Sequence, residues 1–98
     1  MTFIHAGSIW RHTAKQLEYV VVGMAKCSRT LKPQVVYRQL YRSKDTNLPD
    51  YGLWTRDKKE FLGKVVVEGK VVSRFNYMGE TSYDQYLHYC NKTYMNIL

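Results

Sequence analysis

Ninety-eight residues allow one domain with a single core and leave no room for a second. Hydrophobic residues make up 45% and aromatic residues 14%, which excludes a disordered chain. Fifteen Lys and Arg against eight Asp and Glu give a net charge of +7, all carried by residues 1–81, and such a balance favours anionic partners. No apolar run approaches the ~20 residues needed to span a bilayer, so no membrane partner is expected. The first residues lack the basic and long apolar regions of a secretory signal. Cys27 and Cys90 are far apart in sequence and belong to no close pair. Reduced thiols in a cytoplasmic protein are therefore expected, with a Cys27–Cys90 bridge as the lesser alternative.

In chain order, residues 1–6 read as an arm, and Ser8 to His12 alternates like a short strand. Leu17 to Ala25 is apolar on both sides of the pleat, as in a central strand, with Gly23 expected at a bulge or bend. Ser28 to Pro33 is a turn, Gln34 to Ser43 a third strand, and Lys44 to Asp50 a polar loop. Gly52 to Arg56 reads as a brief fourth strand, and Arg56 to Leu62 as one helical turn capped by Asp57. Val65 to Val67 and Val71 to Phe75 flank Glu68-Gly69 as a hairpin. The period then changes. Tyr83, Tyr86, Leu87, Cys90, Tyr94 and Leu98 fall on one face of a helix opened by Ser82 and Gln85. The expected fold is mainly β (α+β): a small curled antiparallel sheet or an SH3-like barrel of five to six strands, with one C-terminal amphipathic helix. Residues 7–78 would form the β part and residues 82–97 the helix, whose aromatic face suits the core or a homodimer seam.

The chemistry concentrates in Val35-Val36-Tyr37-Arg38-Gln39-Leu40-Tyr41-Arg42 and Tyr51-Gly52-Leu53-Trp54-Thr55-Arg56. Arg is a flat fork of donors for phosphate or carboxylate and also stacks on rings; Tyr and Trp add stacking faces with polar tips. Arg38 and Arg42 share a strand face about 13 Å apart, too far for one phosphate. Arg38 is expected either to pair with a carboxylate such as Glu60 or to line a pocket. Tyr37 and Tyr41 share the opposite face, as core or as a stacking platform. Trp54 beside Arg56 is the best candidate for a ring stacked on a base, and Arg74 before Phe75 is a third candidate cation. Arg11, His12 and Arg29 complete the expected ligand-binding set of Arg38, Tyr41, Trp54, Arg56 and Arg74.

These residues also carry a resemblance. Trp10-Arg11-His12, Tyr19, Val22-Gly23-Met24-Ala25, Ser28, Thr30, Val35-Val36-Tyr37-Arg38, Leu40-Tyr41, Leu53-Trp54, Arg56, Phe61 and Arg74-Phe75 resemble domain of unknown function 1653, a small bacterial and phage family. The resemblance implies one compact β-rich domain and supplies no activity. Three departures stand out. The His12 to Tyr19 spacing is one residue longer, Gln16 replaces an expected glycine, and Arg29 and Lys32 stand where the family carries acids. The last change leans this chain toward an anion.

No enzyme is expected, and no catalytic residue, metal or cofactor. The three His are scattered, neither Cys has a nucleophile context, paired metal-ligand spacings are missing, and phosphate-binding Gly loops are absent. The leading expectation is a non-enzymatic binding module for a phosphorylated nucleotide-type ligand, a nucleotide or cyclic oligonucleotide signal. Such a protein would serve a phage in anti-defence by sequestering a host defence signal. The alternatives are a single-stranded nucleic-acid-binding domain and a protein-interaction module that inhibits an acidic host partner.

Overall fold

The computed structural model describes residues 4–44, 51–82 and 84–88. Its elements are β1 (Ser8–His12), β2 (Leu17–Lys26), β3 (Pro33–Gln39), β4 (Leu53–Asp57), α1 (Lys58–Phe61), β5 (Lys64–Val67), β6 (Lys70–Ser73) and β7 (Phe75–Glu80). Five strands form one antiparallel sheet in the order β4-β3-β2-β1-β7, while β5 and β6 form a separate ribbon. The fold is mainly β. Of the two architectures the sequence allows, it takes the open sheet: among the described residues no pairing joins the edge strands β4 and β7 into a barrel.

Register decides which side chains meet, because residues directly opposite each other in a ladder share a face. Trp10 lies opposite Tyr19, Tyr19 opposite Gln39, Val21 opposite Tyr37, and Tyr37 opposite Trp54. Val35 faces Arg56, and His12 faces Phe75. One sheet face thereby gathers Trp10, Tyr19, Tyr37, Trp54 and Phe75 together with Val21 and Val35. The helix α1 lays the fully buried Phe61 onto it, stacked on Phe75 with centroids 4.1 Å apart and edge-on to Trp10 and Tyr37 at 5.3 and 5.4 Å. Trp10, Tyr19, Val21, Val35, Tyr37, Phe61 and Phe75 form the core, with Ile4, Leu17 and Tyr41 packed against it. The Trp10 indole donates to Ser8 Oγ at 2.9 Å, so its polar edge is satisfied inside.

Gly23 sits at the expected irregularity: the β2–β3 register shifts between Val21 and Gly23. The shift skips Val22, whose carbonyl accepts from the Tyr86 hydroxyl at 3.1 Å. That bond ties the helical residues 84–88 to the sheet, and Ser82 Oγ accepts from the Gln85 N–H at 3.2 Å at their start. Tyr83, Cys90, Tyr94 and Leu98, the rest of the expected helix face, lie outside the described residues. Cys27 itself is a free thiol. In the β5–β6 turn Glu68 and Gly69 have φ of +51° and +78°, the double left-handed conformation of a two-residue hairpin.

Several details of the elements differ from expectation. Pro33 opens β3, opposite Lys26, where a first residue needs no ladder N–H. β3 ends at Gln39 rather than Ser43, where the Gln39 amide itself takes the Tyr41 carbonyl. Asp57 precedes α1 but makes no side-chain cap; its carboxylate instead accepts from the Gln34 amide. Phe75 begins β7, an unforeseen strand whose Asn76, Tyr77 and Met78 are all exposed, so its edge position hid the usual alternation.

Candidate functional site

Gln39 is the hub of the open end of the aromatic face. It is 1% exposed, yet a strand alternation with Tyr37 would normally place an apolar residue there. Its amide is fully used: Nε2 donates to the Tyr41 carbonyl at 3.0 Å and to Ser43 Oγ at 2.8 Å. Oε1 accepts from the Trp54 indole at 2.8 Å. The Trp54 ring is thus fixed in orientation while 38% of the residue remains exposed. Leaving such a buried amide unpaired costs ~1–3 kcal/mol, so the three partners hold one another in place.

Around this hub lies a cleft of about 540 Å³, within the range of small-molecule sites. Trp54, Tyr41 and Leu17 give it ring and apolar surface; Lys15, Arg42 and Lys44 give it three cations; Gln39 and Ser43 complete the lining. No acidic residue contributes to the described lining. Beneath, the Tyr41 and Tyr19 hydroxyls lie 2.7 Å apart. Burial pushes the Tyr19 phenol well above its ordinary range, and the bond to Tyr41 reinforces this, so Tyr19 stays a neutral hydroxyl.

A second basic group borders the packed half of the same face. Arg56 Nε donates to the Tyr37 hydroxyl at 3.4 Å, its guanidinium stands 6.0 Å from the Phe75 centroid, and Nη1 lies 3.6 Å from a Glu60 carboxylate oxygen. Arg74 Nε donates to the Glu60 backbone carbonyl at 3.1 Å. Glu60 thereby gathers both arginines. His12, buried edge-on to Phe75 at 5.0 Å, is pushed below its usual pKa, first by burial and then by Lys15, Arg56 and Arg74. Its Nδ1 accepts the Lys15 N–H at 3.3 Å, the arrangement of a neutral ring.

The expected ligand set therefore divides. Trp54 and Tyr41 meet in the cleft, while Arg56, His12 and Arg74 gather beside it. Arg38 does not join them: it lies opposite Val20 and Leu53 on the other sheet face, 4% exposed, and donates through Nη1 to the Tyr51 carbonyl at 3.3 Å. Its described hydrogen bond goes to a carbonyl rather than to Glu60, which Arg56 takes. Arg11 is on that other face too, held by Glu18 at 2.7 Å. Arg29 is exposed in the turn between β2 and β3, away from the cleft. Lys15, Gln39 and Lys44 enter the site without having been singled out. Only Gln39 left a signal, a polar residue on the aromatic side of a strand.

Fold and site together define a small β domain, one five-stranded sheet with a two-stranded ribbon, that carries a basic, aromatic cleft. The family described as a protein of unknown function, DUF1653, matches residues 8–77, and the chain belongs to it. The chain is also similar to a crystal structure of a protein of this family from Bordetella bronchiseptica. The two share 25% identity with a TM-score of 0.63, over 78% of this chain and 90% of that one. No curated protein matches it significantly.

Proposed function

We propose that this protein is a non-enzymatic binding module for a phosphorylated, base-containing ligand, a nucleotide or a cyclic oligonucleotide. The observation that carries the reading is the cleft itself, where a half-exposed Trp54 ring, locked by Gln39, stands among Lys15, Arg42 and Lys44. A flat base stacks on an indole, and phosphates are attracted by cations placed around it. The Tyr41 hydroxyl, backed by the buried Tyr19 hydroxyl, lines the cleft and has hydrogen-bonding capacity left for the polar edge of a ligand. The described lining consists of rings, cations, an amide and a hydroxyl, and the chemistry that fits it is capture. A small protein that captures a nucleotide signal lowers its free concentration, which is the form an anti-defence role in a phage would take.

The test is a melting screen against mono-, di- and cyclic nucleotides. A true ligand at a hundred-fold excess over Kd adds ~2.7 kcal/mol of stability. The Trp54→Ala and Lys15→Glu variants are expected to lose that gain while still folding. A panel with no shift in any nucleotide sinks the reading.

A further inference from the structure

A second cleft, of about 310 Å³, lies at the opposite end of β3 and β4. Among the described residues Lys32, Lys58 and Lys59 supply its cations, Leu31 and Pro33 its apolar wall, and Asp57 its one acid. The Asp57 carboxylate is already engaged by the Gln34 amide. Leu31 is held at φ +62°, a conformation costly for a residue with a Cβ, and is 67% exposed beside the lysines. Arg56 is on the same sheet face as Trp54, two residues further along β4, and Lys58 and Lys59 follow directly in α1. The order along the chain is ring, cation, cation pair.

We infer that this second cleft is a distal subsite for the backbone of a short single-stranded oligonucleotide whose other end occupies the Trp54 cleft. The inference rests on the nucleotide reading above and narrows its ligand class. β3 reaches from Pro33 at the distal cleft to Gln39 at the other, seven residues, or roughly 20 Å at strand spacing. At the ~3.4 Å rise of a stacked strand this is about six nucleotides. A mononucleotide or dinucleotide fills only the Trp54 cleft; a hexamer reaches both.

The test measures fluorescence anisotropy of labelled dT2, dT4, dT6 and dT8 at physiological salt, where screening beyond ~8 Å confines charge effects to contacts. The expected result is a gain of at least tenfold in affinity between dT2 and dT6, levelling by dT8. In a Lys32→Ala, Lys59→Ala double variant, confirmed folded by its melting curve, the dT6-to-dT2 ratio falls toward one. Tight dT2 binding without a length gain, or a ratio unchanged in the double variant, overturns the distal subsite and leaves the nucleotide reading standing. Binding of no oligomer overturns the distal subsite, while the nucleotide melting screen decides the reading of the Trp54 cleft separately. Displacement of dT8 by polyglutamate as readily as by unlabelled dT8 also overturns it, because the track would then serve an acidic protein.

Discussion

The same sheet face does two different things at its two ends. Toward β7 and α1 the rings close on one another: Phe61 stacks on Phe75, Trp10 and Tyr37 meet Phe61 edge-on, and Phe61 is fully buried. Toward β4 and the end of β3 the rings stop closing, because Gln39 and Trp54 bond to each other rather than to a packed neighbour. The residue types are similar at both ends. What differs is whether an element covers them: α1 seals one end, and no described element seals the other. Aromatic content by itself therefore distinguishes core from site poorly; a ring whose polar edge is anchored and whose face stays open is the better sign.

The largest expected effect comes from exchanging one ring at each end. Phe61→Ala empties the sealed end and is expected to cost ~3–5 kcal/mol, enough to unfold much of a small domain. Trp54→Ala removes a residue that is 38% exposed and should cost far less. Urea or thermal unfolding of the two variants side by side decides the matter. Equal losses would mean that Trp54 is core and that the two ends are not different in kind.

Much of this division was legible in the sequence, and the missing part has a definite cause. Strand alternation alone put Tyr37 and Tyr41 opposite Arg38, and Val-rich runs around Glu68-Gly69 gave the hairpin. The placing of Trp54 was not legible. It depends on the β3–β4 register, which pairs Trp54 with Tyr37, and the connection between these strands is too long to fix register by turn type. A shift of one residue would have sent Trp54 to the Arg38 face. Gathering Arg38 with Trp54 and Arg56 was thus a register assumption, and the observed ladder separates them. Glu60 is similar: its link to Arg56 four residues earlier follows local spacing, whereas its carbonyl bond to Arg74 is tertiary.

A smaller effect sharpens the boundary between the two ends, where His12 sits. Its folded-state pKa is lowered, chiefly by burial, so the unfolded chain binds the proton more readily. The stability held by neutral His12 is present in full above the unfolded value near 6.5 and declines as pH falls from there toward the depressed folded value. Glu80, also depressed, acts only as pH drops below the ordinary carboxylate value of 4.5. Melting temperature is therefore expected to fall between pH 7 and 5, and His12→Phe should flatten that slope. A slope of the same steepness in the variant would show that His12 is not what responds to acid there.

The smallest effect lies beside the cleft, at Gln16, in the turn that leads from Lys15 to β2. Gln16 has φ +57°, and its N–H donates to the His12 carbonyl at 2.7 Å, so the turn requires a left-handed residue. Glycine meets that requirement without a Cβ penalty, which gives a physical reason for the glycine expected here from the family resemblance. Gln16 recovers part of the cost by donating its side-chain amide to the Thr13 carbonyl at 2.7 Å. The bond is exposed, hence worth little, whereas left-handed strain in a residue with a Cβ costs ~1–2 kcal/mol. Gln16→Gly should accordingly stabilise the protein by up to about 1 kcal/mol, the added freedom of the unfolded glycine offsetting the rest. Under the proposed nucleotide reading, relaxing the turn that positions Lys15 should leave affinity the same or slightly lower as stability rises. A destabilised Gln16→Gly protein would mean that the side-chain bond, and not the backbone conformation, governs this turn.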